Sequence, residues 1–156
     1  MKIIRLSVFT VLTMLAANLS RANEVQMSAE DAYSKTARIL VDIGALPTFR
    51  DKELLIIKTD PMPVKLSPEQ ADCGKMFGIA YLRDKRTKTA ATYQVSIKPI
   101  DAQKSDVTLK VKIDGYMDVT EGAAFFIDKT RDTTKVLNCS SSGYLESQFF
   151  EKLNTP

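Results

Sequence analysis

Side chains able to do chemistry are sparse in this sequence, and their spacing narrows what they can do. The chain contains no histidine. Its absence removes imidazole zinc ligation, Ser-His-Asp and Cys-His catalysis, and the usual general base near neutral pH. Cys73 and Cys139 stand 66 positions apart, which is neither a zinc spacing nor a redox CxxC pair. No GxGxxG, P-loop or calcium-loop pattern occurs. Glu69 and Asp72 lie three apart and would share a face of a short helix, where two carboxylates could serve a glycosidase-type mechanism. Acids in a first helical turn are equally what the helix dipole favours. Ser140–Ser142 have no lysine nearby in sequence. The reading is a protein that is not an enzyme, with no catalytic residue, no metal and no cofactor.

The remaining candidates are contact residues. Tyr116 and Met117 sit in an expected irregular stretch between Gly115 and Gly122, where large apolar groups are harder to bury. They read as a contact site, with a loop plug as the alternative. Lys98, Lys110 and Lys112 share one face of two expected strands. That face is either simply solvated or meets an acidic partner, such as lipopolysaccharide phosphates or peptidoglycan-linked acids. Phe49, Phe77, Tyr81, Tyr93, Phe125, Phe126, Phe149 and Phe150 are expected in the core.

The N-terminus says where such a protein would act. Lys2 and Arg5 precede an apolar stretch from Leu6 to Ala17, too short for the ~20 residues of a membrane-spanning helix. Ser20-Arg21-Ala22 then places small residues at the −3 and −1 positions of a cleavage site. Residues 1–22 read as a signal peptide and residues 23–156 as one mature domain in the periplasm or secreted. The whole chain has 22 Lys+Arg against 19 Asp+Glu, and Lys2, Arg5 and Arg21 belong to the signal. The mature part is therefore neutral, and nothing global steers it to nucleic acid. No cysteine near the cleavage site could carry a lipid anchor, which leaves peripheral envelope association. An even pair of cysteines in an oxidising compartment predicts a Cys73–Cys139 disulfide, the alternative being two buried thiols.

The elements that would position these residues follow from periodicity. Residues 23–27 read as a loose lead. Ser28, with Asp31 three positions on, caps a helix whose stripe runs Ala29, Ala32, Tyr33, Thr36, Ala37, Leu40 and Ile43, ending at Gly44. Strands are expected at 48–50, 54–57 and 76–82, with a short helix at 67–70 between the last two. Residues 91–98 and 107–114 alternate cleanly and should pair across an eight-residue connection. Further strands are expected at 123–127 and 133–137, with a turn at 128–132. A last helix carries Leu145, Phe149, Phe150 and Leu153, with Cys139 near its start and Cys73 beginning a core strand. The sum is an α+β domain: a mostly antiparallel sheet with N- and C-terminal helices on one face.

Four features then carry a resemblance: the helix ending at Gly44, Asp72-Cys73-Gly74 before a strand, the paired strands, and the run Cys139, Ser141, Gly143, Leu145 and Glu146. Together they resemble small bacterial envelope proteins, many of them lipoproteins of unassigned role, with a domain like the small α/β domains of the outer-membrane assembly lipoprotein BamC. The likeness spans residues 28–154. It implies an exported cell-envelope accessory protein acting through protein–protein interaction with an envelope partner. It transfers no catalytic residues. The alternatives are a periplasmic domain binding a small ligand or glycan, and a small secreted hydrolase using carboxylates.

Overall fold

A computed structural model describes residues 21–118 and 134–155. In chain order the elements are β1 (Arg21–Val25), α1 (Ala29–Asp42), β2 (Pro47–Asp51), β3 (Ile56–Thr59), β4 (Met62–Val64), β5 (Ala71–Asp72), β6 (Lys75–Met76), β7 (Ile79–Ala80), β8 (Thr87–Asp101), β9 (Lys104–Asp118), β10 (Thr134–Ser141) and α2 (Tyr144–Asn154). The fold is α+β. Its spine is the β8–β9 hairpin, in which odd-numbered residues face inward on both strands: Ala91, Tyr93, Val95 and Ile97 on one, Val107, Leu109 and Ile113 on the other. β3 and β4 lie end to end along the free edge of β8, and β1 and β10 do the same along β9. β2 closes one side of the sheet and β5 the other.

Both helices cover the inward face. Ser28 caps α1 as its spacing implied, its Oγ accepting the Asp31 N–H at 3.1 Å. The α1 stripe buries Ala32, Tyr33, Thr36, Ile39 and Leu40. α2 buries Leu145, Phe149, Phe150 and Leu153 against the same core, its two rings meeting edge to face at 5.4 Å between centroids. The other face of the sheet alternates outward and stays wet, as expected of an antiparallel sheet covered on one side.

Several expectations change in detail. Residues 21–25 are a strand, β1, because Val25 fills a core position opposite the buried Ser105. The hairpin connection shrinks from eight residues to the turn at Ala102–Gln103; the strands run on past Pro99 through a bulge, which accommodates a residue with no N–H to donate. The expected short helix at 67–70 is a single turn, with the Ser67 N–H bonded to Gln70 Oε1 at 2.9 Å. Residues 76–82 are no core strand but a small hairpin, β6–β7, and a 3₁₀ turn at Tyr81–Arg83. Cys139 lies within β10, not at the start of α2. Residues 1–20 of the signal expected at 1–22, and the strand and turn expected at 123–132, lie outside the described residues; Arg21 and Ala22, the last two residues of that expected signal, are described and open β1.

Candidate interaction surface

Cys73 and Cys139 form a disulfide, with Cα atoms 4.0 Å apart. It ties the segment after β5 to β10, so it staples the sheet edge rather than the C-terminal helix. Beneath it a small apolar cluster gathers Cys73, Met117 and Leu137, with Tyr81 and Leu82 against it. Gly115, paired with Leu137, leaves the space the Cys139 sulfur occupies.

The disulfide also anchors what lies beyond it. Gly74 turns the chain in the left-handed region at φ +85, its N–H held by Asp72 Oδ1 at 2.8 Å and its carbonyl by the Tyr81 N–H at 3.0 Å. From this base β6 and β7 project as a two-rung finger. Its tip is Phe77–Gly78, with φ of +50 and +81. Two successive left-handed residues make the type I′ turn that suits a tight hairpin and is normally built from Asn and Gly. Phenylalanine is a costly occupant of that conformation, and here its side chain is 97 % exposed. Met76 and Ile79, paired across the finger, are exposed as well. The expected core role of Phe77 is thus overturned; residues on so short a finger have no second layer to bury them. Phe49 is also exposed, with Lys58 Nζ over its ring at 5.6 Å from the centroid on the wet face.

The contact residues expected at 116 and 117 separate. Gly115–Asp118 continues β9, so neighbouring side chains point to opposite faces. Met117 is 2 % exposed, in the cluster under the disulfide, and is not a contact residue. Tyr116 is 40 % exposed on the wet face, across from the exposed Val136 on one side and Lys88 on the other. Lys98, Lys110 and Lys112 all lie on that wet face. Lys98 is opposite Asp106, and Lys112 is paired with Asp114 at 2.9 Å, which raises the lysine's pKa. The row is therefore mixed in sign rather than purely basic.

The run Cys139, Ser141, Gly143, Leu145, Glu146 has a structural explanation. Ser141 Oγ accepts the Gly143 N–H at 3.0 Å and donates to Glu146 Oε2 at 2.7 Å. Gly143 turns the chain at φ +88, Leu145 enters the core, and Glu146, 2 % exposed, sits in the first turn of α2 where the helix dipole favours a carboxylate. These residues build the corner between β10 and α2. Tyr93 lies close enough to Glu146 to feel its charge; burial first, and that charge second, push the Tyr93 phenol up to about 12.

Glu69 and Asp72 each have a local role in the turn they occupy. Glu69 is exposed, its pKa lowered mainly by the Ser67 hydroxyl, and Asp72 is committed to the Gly74 N–H. Among the described residues, no group of three or more acids and cysteines could hold a metal ion. No described helix is long and apolar enough to cross a membrane.

No protein-family model matches the chain. No curated protein matches it. Among solved structures it is similar to a DUF4468 family protein from Bacteroides ovatus, at 14 % identity over 89 % of this chain and 80 % of that one, with a TM-score of 0.37. A likeness at that score transfers no function and no residue role.

Proposed function

We propose that this chain is an exported accessory protein of the bacterial cell envelope that works by binding another envelope protein rather than by chemistry. The observation that carries the reading is the Tyr116–Val136 pair: two large apolar side chains, adjacent across β9 and β10, on the face of the sheet opposite both helices. An aromatic and a β-branched residue held on rigid strands, ringed by charges of both signs, is the composition of a protein-contact patch with a small apolar centre. Interleaved Lys88, Lys112, Asp114 and Asp118 would set register and partner choice more than affinity. A disulfide between the two cysteines of the chain is in keeping with an oxidising compartment, and the N-terminal segment with export.

Affinity capture from an envelope fraction tests the reading, comparing the unchanged chain with a Tyr116→Glu/Val136→Glu variant. Two glutamates opposite one another on β9 and β10 repel, so far-UV circular dichroism and a urea unfolding curve accompany the capture to show that the variant is folded. The expected outcome is one enriched envelope protein that the variant fails to retain. Identical capture profiles for the two proteins would remove this face as the binding site.

A further inference from the structure

We infer that the β6–β7 finger is a membrane-docking device: Met76, Phe77 and Ile79 insert into the interfacial layer of an anionic lipid bilayer while the basic side chains around the finger's base engage the lipid phosphates. This surface borders the Tyr116–Val136 patch at Lys88, and the inference does not depend on a protein partner.

The finger is built to present its tip, not to hide it. The disulfide, the Asp72–Gly74 bond and the Tyr81–Gly74 bond fix its base. Lys135 Nζ lies 4.5 Å from the centre of the Tyr81 ring and donates to its hydroxyl, bracing the base from β10. On this rigid stem the chain places its most exposed large apolar side chain among the described residues, in a backbone conformation that phenylalanine disfavours. Strain at an exposed residue points to a role outside the fold.

Charge selects the occupant. From Lys65 to Lys88 the chain carries Lys65, Lys75, Arg83, Lys85, Arg86 and Lys88 against Glu69, Asp72 and Asp84, an excess of positive charge inside a mature domain whose charges otherwise sum to the opposite sign. Asp84 is neutralised locally: Arg86 grips it at 2.7 Å and holds its carboxyl at about 2. Arg83 lies within electrostatic reach of Glu69. Lys65, Arg83, Lys85 and Lys88 line a cleft of about 760 Å³ beside the base of the finger. Lys75 and Arg83, with Gly78 and Ala80 of the finger, line a smaller one of about 300 Å³. An apolar tip above a collar of cations matches the two layers of an anionic bilayer surface, acyl boundary and phosphate plane. An apolar protein pocket would satisfy the tip but gives the collar nothing to do.

The chain contains no tryptophan, so Phe77→Trp makes a single reporter at the tip. With the mature protein and vesicles of phosphatidylethanolamine and phosphatidylglycerol, its fluorescence should shift to the blue. Vesicles of phosphatidylcholine alone should give no shift. In co-sedimentation with the anionic vesicles, Phe77→Asn, which suits the turn and keeps the fold, should bind at least tenfold more weakly. Lys75→Glu/Lys85→Glu, which leaves the Tyr116–Val136 patch untouched, should do the same, and binding should weaken as salt screens the phosphates. Absence of binding to anionic vesicles, or unchanged binding by Phe77→Asn, would overturn the inference. So would a finger that leaves vesicles untouched but loses a captured protein when Phe77 is replaced.

Discussion

A Cβ added at Gly115 would lie 2.7 Å from the Cys139 Sγ and 3.0 Å from the Leu137 Cβ. Neither neighbour can retreat, one being half of a disulfide and the other buried. Gly115→Ala is therefore expected to cost about 1–3 kcal/mol through overpacking, measured as a lower urea midpoint. Phe77 should behave in the opposite way. Its left-handed backbone costs a non-glycine residue about 1–2 kcal/mol, and asparagine relieves much of that. Phe77→Asn should raise the stability of the fold, read from the same unfolding curves, while removing the exposed ring. A stabilising substitution at a position whose native residue is strained and solvent-facing is the pattern of a side chain kept for contact. Equal or lower stability in Phe77→Asn would say the turn is at ease with phenylalanine.

At the scale of elements, the β10–α2 corner couples to the sheet through Glu146 and Tyr93. The Tyr93 phenol is raised from 10 to about 12 in the folded chain. The folded state therefore holds this proton more tightly than the unfolded state does. The stabilisation is complete below pH 10 and is lost as pH climbs through 10 toward 12. Tyr93→Phe should flatten that alkaline decline. Glu146→Gln should bring the phenolate titration of Tyr93 to lower pH while leaving burial as the larger cause of its shift. Clean alternation made β8, β9 and the inward set on each strand legible in the sequence, and single apolar stripes did the same for α1 and α2. What could not be read was anything depending on a partner strand. β1 looks polar and loose until Ser105 and Val107 stand opposite it. Met76–Leu82 reads as a core strand because its residues are apolar, yet the left-handed turn at Phe77–Gly78 folds it outward before it can reach the core. The run from Cys139 to Glu146 was visible as a pattern, but its work, building a corner, is a matter of hydrogen bonds that spacing does not display. Tyr116 and Met117 were separated only by the discovery that their segment is strand, where adjacent residues part company.

For the whole molecule, the disulfide closes a loop of 66 positions between the segment after β5 and β10. Chain entropy assigns such a link roughly 4 kcal/mol. Cys73→Ser/Cys139→Ser should lose stability of that order in urea unfolding, and reduction of the unchanged protein should give the same loss. The effect should also reach the finger, whose base the bridge secures. The molecule then offers two unlike surfaces at the disulfide end of the sheet: an apolar finger with a basic collar, and the Tyr116–Val136 patch on the wet face. A protein held at a lipid surface by one and joined to a partner by the other would be an adaptor, with no reaction centre required. The most direct test is a photo-crosslinking side chain at position 116 in intact cells of the native host. The account predicts a reproducible crosslink to a single envelope protein, absent when the probe is moved to exposed Arg38 on α1. Crosslinks that are absent at 116, or the same at 116 and 38, would contradict it.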